Sequence, residues 1–165
     1  MKRRQIAFFT SDWNYELVGE TLRGVSRYLT EHSEVNVRVF DCFGIDKQSI
    51  SDDALVYEIY NEAMLEEYDG VIVQTHQIVQ KSVLGELERR IRESGIPAIS
   101  IGVALGDLPQ IKSDDFAAFK EITNHVIEQH HARKLWFLKG MEIYDGGGEA
   151  ILRRYGFKND AERAC

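Results

Sequence analysis

Short apolar runs alternate with longer amphipathic segments along this chain. The runs are rich in valine, isoleucine and phenylalanine, as is typical of β-strands. Strand, helix and strand in regular succession indicate a parallel sheet with crossover helices. The run VIV within residues 69–74 has no polar alternation, which predicts a central strand buried on both faces. The predicted strands cover residues 5–10, 35–41, 69–74, 98–103, 110–113 (very short) and 134–139.

The segments between these strands carry apolar residues at steps of three and four, the spacing of one helix face. The helix over residues 51–67 rests on an N-cap cluster at 51–53 and on the stripe Leu55, Val56, Ile59, Tyr60, Ala63 and Met64. Gly95 and Pro97 follow another helix in the order expected at a helix C-terminus. The predicted helices cover residues 15–32, 51–67, 82–94, 116–130 and 149–164.

These elements predict an α/β fold with an open, mostly parallel, doubly wound sheet and flavodoxin-like layering. The 165 residues suffice for one compact domain with a full hydrophobic core. A hydrophobic fraction of 44% and a charged fraction of 28% are ordinary globular values, which excludes collagen-like and disordered chains. With a net charge of -7, the chain lacks the excess of basic residues that is typical of nucleic-acid-binding proteins.

The apolar runs, the N-terminus and the cysteines bear on where in the cell the protein works and on its redox chemistry. No apolar run approaches the ~20 residues that span a membrane, and the N-terminus MKRRQIAFFT does not resemble a secretion signal. We therefore expect a cytoplasmic protein without a membrane partner. Cys42 and Cys165 are its two cysteines, and they offer neither metal spacing nor a disulfide framework.

An open parallel sheet binds ligands at the carboxyl ends of its strands, so catalytic motifs are sought in the loops that follow them. The loop after the first strand, SDWNY, has no glycine and cannot form a dinucleotide- or triphosphate-binding turn. The glycines at 146–148 fit neither motif, and no Gly-x-Ser-x-Gly elbow occurs. The sequence therefore predicts a protein that is not an enzyme and needs no cofactor.

A phosphate-accepting receiver domain has a similar number of strands and helices and is the main alternative. Its chemistry needs an acidic pair after the first strand and an aspartate at the end of the third, to hold a divalent ion. Asp12 and Lys139 are placed suitably, but the third strand ends in Gln74, Thr75 and His76. His125, His130 and His131 fit the end of a helix better than a metal site. No metal ligands are predicted.

Several short segments, in order and over nearly the whole chain, resemble the ligand-binding domain of the lac and galactose repressor family, a type I periplasmic-binding-protein-like sensor domain. The segment YDGVIV at 68–73 is similar to the family's "x-D-G-I-I" strand, and GIPAIS at 95–100 to "G-I-P-V-V-x-I". The other matching segments are IAFFT at 6–10, LRG at 22–24, IKSDD at 111–115, RKLWFLKG at 133–140 and RRYGF at 153–157.

The resemblance implies that residues 1–132 form the N-terminal lobe and residues 133–165 the start of a second, incomplete lobe. The family's helix-turn-helix headpiece has no counterpart here, so we expect no direct DNA contact from this chain. The family's ligand is a small polar metabolite, commonly a sugar or a purine. By resemblance we also expect a homodimer, through the first helix, or a fused or associated output domain.

Six residues are carried over as ligand-binding candidates. A sugar ring would stack on aromatic side chains and bond to amides and hydroxyls at the strand ends. Trp13 could instead plug the core, Arg153 could be a solvated helix residue, and Asp114 fits an N-cap better than a ligand contact. The candidates are Trp13, Asn14, Tyr15, Thr75, His76 and Arg153.

The sequence thus predicts a non-catalytic domain that binds a small sugar or nucleoside-like molecule and belongs to a bacterial transcription regulator or signalling protein. The alternative is a flavodoxin-like or receiver-like signalling domain, or part of an enzyme.

Overall fold

The computed structural model describes residues 3–12, 15–42, 54–78 and 80–136, and for 54–56 and Gln77 only the backbone. It confirms the α/β fold and the parallel sheet. In the described part of the chain, five strands, all parallel, lie in the order β2-β1-β3-β4-β5. Their bounds are β1 Arg4–Ser11, β2 Val35–Cys42, β3 Gly70–Gln74, β4 Ala98–Ile101 and β5 Gln110–Ile111.

Three α-helices follow predicted stretches closely. They are α1 Glu16–Glu31, α2 Lys81–Ser94 and α3 Asp115–His130. Helix α2 ends as predicted at Gly95, which has a φ of 67° and donates its N–H to the carbonyl of Arg92. The carboxylate of Asp114 accepts the N–H of Ala117 at 3.0 Å, which confirms it as the N-cap of α3.

The predicted helix over residues 51–67 is wrong. Residues 51–53 lie outside the described residues, and the remainder forms two 3-10 helices, Ala54–Tyr60 and Leu65–Glu67. Tyr57 and Tyr60 are buried at a spacing of three, the repeat of a 3-10 helix, and Ala63 is buried in the segment between the two helices. Of the predicted stripe, Ile59 is 40% exposed and Met64 is 60% exposed. The core therefore keeps Tyr60 and Ala63 of the predicted stripe, adds Tyr57, and leaves Ile59 and Met64 largely outside.

Arg90 of α2 explains how this segment is held without regular α-helical hydrogen bonds. Its guanidinium donates to the carbonyls of Tyr60 at 2.8 Å and Ala63 at 2.6 Å. Carbonyls at the end of a helical turn need such partners when they face protein rather than water. A side chain from the neighbouring helix thus ends the first 3-10 helix.

The end of the chain bears on two further predictions. Residues 134–136 are not in a strand, so the start of the strand predicted over 134–139 is wrong. Residues 137–139 and the helix predicted over 149–164 lie outside the described residues. The chain divides into two compact units, Met1–Ile111 and Lys112–Cys165, and α3 belongs to the second. The predicted lobes 1–132 and 133–165 remain a prediction.

The two faces of the sheet differ, and we name them after the helices that cover them. The α2 face carries Ala7, Phe9, Phe40, Val71 and Val73, which join Leu87 and Ile91 of α2 in the apolar core. The α1 face carries Phe8, Thr10, Val39, Ile72 and Gln74, which share one side by strand register. A hydrogen bond from Gln74 to Thr21 places α1 over this second face.

No helix among the described residues is long and apolar enough to cross a membrane.

Candidate functional site

The strand order creates a crevice between the carboxyl ends of β1 and β3. The chain leaves β1 toward β2 on one side, whereas β3, β4 and β5 extend on the other. Ligands of open parallel sheets bind at such a switch point, outside the carboxyl ends of the strands. The segments after β1 and β3 contain five of the six predicted ligand residues, and these segments flank the switch point.

The exit from β1 is a tight turn held by β2. Ser11 donates its hydroxyl to the carbonyl of Cys42 at 2.9 Å, and Asp12 donates its N–H to the same carbonyl at 3.0 Å. Asp12 has a φ of 63°, a left-handed conformation that aspartate tolerates better than most residues. Tyr15 then donates its N–H to the carbonyl of Asp12 at 2.8 Å and starts α1.

Of the three residues predicted in this loop, the structure describes Tyr15. It is 47% exposed at the first turn of α1, beside the carboxyl end of β1. Trp13 and Asn14 lie outside the described residues. An aromatic residue at a strand end is of a type that stacks against the apolar face of a ligand.

Gln74 links β1, β3 and α1 beneath the crevice, a role that was not predicted from the sequence. Its side chain is fully buried, accepts the hydroxyl hydrogen of Thr10 at 3.2 Å, and donates to Thr21 of α1 at 3.4 Å. Because a buried amide needs its partners, these bonds fix α1 against β1 and β3. The signal in the sequence was a polar residue closing the apolar run VIV.

Thr75 faces into the protein. It is 1% exposed, and its Oγ1 accepts the N–H of Val103 at 2.8 Å. The same oxygen lies 3.0 Å from the carbonyl of Ile101 and 2.8 Å from that of Val103, and its single proton serves one of them at a time. The hydroxyl therefore joins the ends of β3 and β4, and its predicted ligand contact remains a prediction.

His76, the next residue, is half-buried and rests on Gly102 at the end of β4. Gly102 has a φ of 101°, which disfavours any residue with a side chain. Sequence reasoning missed Gly102, although a glycine directly after a strand at the ligand edge is a recognisable signal for a close approach.

Buried groups beneath the crevice are neutral at ordinary pH. Tyr60 donates its hydroxyl to the carbonyl of Thr10 at 2.6 Å, and burial raises the pKa of this phenol far above its usual value. Burial also raises the pKa of the Cys42 thiol to about 11. A thiol that keeps its proton is a poor nucleophile, so Cys42 is suited to packing rather than to nucleophilic attack.

Metal chemistry receives no support from the part of the chain that is described. It contains no group of three or more histidine, cysteine, aspartate or glutamate side chains able to hold a metal ion. Arg153, the sixth predicted ligand residue, lies outside the described residues. The described crevice thus brings together the Tyr15 ring, the His76 imidazole and the Asp12 carboxylate, groups that can contact a polar ligand.

Comparison with solved structures shows that this fold is similar to that of periplasmic solute-binding proteins and LacI family regulators. No protein-family profile and no curated protein matches the sequence. A periplasmic solute-binding protein of an ABC transporter from Actinobacillus succinogenes, with bound D-allose, superposes with a TM-score of 0.72 at 14% identity, over 98% of this chain and 56% of that one.

Two further structures illustrate the range of these neighbours. A solute-binding protein from Bacillus halodurans with bound myo-inositol has a TM-score of 0.69 at 13% identity, over 98% of this chain and 53% of that one. A protein from Brachyspira murdochii described as "ABC transporter, LacI family transcriptional regulator" has a TM-score of 0.67 at 17% identity, over 96% of this chain and 51% of that one. The chain thus spans about half the length of the solved structures that it resembles.

Proposed function

We propose that this chain forms the first lobe of a non-catalytic domain that binds a small sugar or sugar-like polyol. The observation that carries the proposal is the position of Tyr15 and His76 after β1 and β3, the two strands that flank the switch point of the sheet. In folds of this class the crevice at that point is where ligands bind.

The chemistry of the crevice fits such a ligand. A sugar presents apolar C–H faces that stack on aromatic rings and hydroxyl groups that bond to imidazoles and amides. Tyr15 supplies the ring and His76 the imidazole, and Trp13, Asn14 and Arg153 add further proposed contacts. Thr75 completes the proposed set from below, because its buried hydroxyl holds the segment after β3 against β4. The solute-binding neighbours with bound D-allose and myo-inositol support this choice of ligand class.

We further propose that the domain acts in regulation. A ligand that binds a closed arrangement of two lobes more tightly than an open one shifts the population toward closure, and closure is the signal. The protein would then work in the cytoplasm, as a homodimer or with an attached or associated output domain, and would itself make no DNA contact. The LacI family neighbours support a role in regulation, and the net charge of -7 fits a chain that makes no DNA contact.

Calorimetric titration of the full chain with D-allose, D-glucose, myo-inositol and adenosine tests the proposal. We expect saturable binding of at least one of them and a loss of about tenfold or more in affinity on Tyr15→Ala or His76→Ala, equivalent to ~1.4 kcal/mol. Tyr28→Ala is the matched control, because Tyr28 is 53% exposed near the other end of the same helix.

Two outcomes would contradict the proposal. Binding that survives both site variants unchanged would place the ligand elsewhere. Conversion of any of these compounds into a product, followed by chromatography, would show catalysis at odds with a binding domain.

A further inference from the structure

His76 sits on a surface that only glycine can provide. A Cβ added to Gly102 would overlap Nδ1 and Cε1 of the imidazole and approach its Cγ to 2.8 Å. Carbon atoms in contact prefer separations of ~3.5 Å or more. Any side chain at position 102 therefore forces the ring to move, because the backbone at Gly102 is held from both sides.

Backbone and side-chain hydrogen bonds hold Gly102. Its N–H donates to the carbonyl of Ile111 in β5 at 2.9 Å, and its carbonyl accepts from the side-chain amide of Gln110. The next residue, Val103, is bonded to the Thr75 hydroxyl through its N–H at 2.8 Å. The surface under the imidazole is thus fixed by β5 on one side and by the residue preceding His76 on the other.

This contact also orients the ring. The atoms nearest to the Cβ position of Gly102 are Nδ1, Cε1 and Cγ, and Nδ1 itself is buried. The other two ring atoms, Nε2 and Cδ2, lie farther from this position than those three. A hydrogen bond from a ligand to this ring would therefore be made through Nε2.

We propose that Gly102 is a positioning residue that presents Nε2 of His76 to the hydroxyl group of a bound sugar, and that Gln110 holds Gly102 in place. The inference rests on the proposed function for the ligand itself, but the contact between the ring and the glycine is a property of the free protein. Its two parts can therefore be tested separately.

A double-variant cycle on the free chain tests the contact. Gly102→Ala introduces both a strained φ and a collision with His76, whereas in a His76→Ala background it introduces strain alone. We expect Gly102→Ala to lower the unfolding midpoint clearly more in the wild-type background than in the His76→Ala background. Equal shifts in the two backgrounds would overturn the contact.

Two other glycines provide matched controls. Gly106 has a φ of 54° and a Cβ there would meet the flexible carboxylate of Glu88, while Gly95 has a φ of 67° and a Cβ there would meet nothing within 4 Å. Alanine at either position adds left-handed strain without touching His76. Their shifts in unfolding midpoint should be the same with and without His76.

The orientation of the ring is tested by nitrogen NMR of the ¹⁵N-histidine-labelled chain. Gly102→Ala should move the His76 ring resonances in the free protein, and Gly106→Ala should leave them in place. On titration with the sugar panel, the Nε2 resonance of His76 should shift and the affinity of Gly102→Ala should fall about tenfold or more. Gln110→Ala should give a smaller loss in the same direction, since the bond to the Ile111 carbonyl remains.

The outcomes separate the two proposals. If the wild-type chain binds none of the sugars but the double-variant cycle shows coupling, the proposed function fails and the contact stands. If the chain binds a sugar and the ligand shifts Nδ1 rather than Nε2, or Gly102→Ala binds as tightly as wild type, the positioning role is wrong and the proposed function stands.

Discussion

The two faces of the central sheet are built for different tasks. On the α2 face, Phe9 stacks on Phe40 with ring centroids 5.1 Å apart and meets Tyr60 edge-on at 5.4 Å. On the α1 face, β1 and β3 end near the crevice in two polar residues, Thr10 and Gln74. Val39 of β2, on the same face, is 40% exposed. Aromatic packing dominates one face, and a buried polar link to α1 marks the other.

This difference separates stability from ligand binding. Apolar burial and aromatic pairs supply most of the free energy that opposes unfolding, and they are concentrated on the α2 face. The bonds of Gln74 and Thr10 contribute less to stability but determine where the first turn of α1, and with it Tyr15, lies. Substitutions on the α2 face should therefore change stability, whereas those at the crevice should change binding.

The largest effect is expected for the adjacent pair Phe8 and Phe9, which are both fully buried but point to opposite faces. Each change to alanine should lower the free energy of unfolding by about 3–5 kcal/mol. Phe9→Ala should cost about 1–2 kcal/mol more than Phe8→Ala, because it also removes two aromatic pairs. Urea unfolding followed by circular dichroism measures both values.

The pair of variants controls for position in the chain and for side-chain size. An equal loss in both would mean that the α1 face is packed as well as the α2 face. A larger loss for Phe8→Ala would reverse the comparison.

The α2 face should also make the protein sensitive to alkaline pH. Burial raises the pKa of Cys42 from an ordinary 9.0 to about 11. The folded state therefore holds the thiol proton of Cys42 more tightly than the unfolded chain does. The resulting stabilisation of the folded state is complete below pH 9 and is lost as the pH rises toward 11. The part of this loss due to Cys42 is about 1–2 kcal/mol in the free energy of unfolding. Burial also raises the pKa of Tyr60, so the Cys42 part is read from the difference between wild type and Cys42→Ala in urea titrations at successive pH values.

Cys42→Ala removes this contribution, so its stability relative to wild type should improve between pH 9 and 11. Cys165→Ser serves as the control for the other thiol of the chain. A constant difference between Cys42→Ala and wild type across this range would show that the thiol is not buried as the structure places it.

The periodicity of the sequence predicted a helix or strand correctly where neighbouring residues alone determine that structure. The apolar run of β3 could only be a central strand, and Gly95 could only end α2, because a left-handed residue was required there. It failed over residues 51–67, where Tyr57, Tyr60 and Ala63 were available to the core at a spacing of three and Arg90 supplied the hydrogen bonds. That choice depends on the neighbouring helix, which local periodicity does not contain.

The sequence predicted which loops form the crevice but not the contacts that hold them in place. Strand alternation and the resemblance located the loops after β1 and β3, because parallel strands all end at one edge. They could not show that Thr75 turns inward to Val103, or that His76 rests on Gly102. Both contacts join residues more than 25 positions apart, and a single sequence does not encode such distances in its local pattern.

The smallest expected effect concerns two valines exchanged for threonine. Val73 is fully buried on the α2 face, whereas Val39 is 40% exposed on the α1 face. Both substitutions keep the β-branched shape that strands favour, so the difference between them reports burial of the hydroxyl. Val39→Thr should change the free energy of unfolding by less than about 0.5 kcal/mol and Val73→Thr should lower it by about 1–3 kcal/mol. Urea unfolding distinguishes these values, and a loss above ~1 kcal/mol for Val39→Thr would mean that this edge of the α1 face is covered in the folded protein in solution.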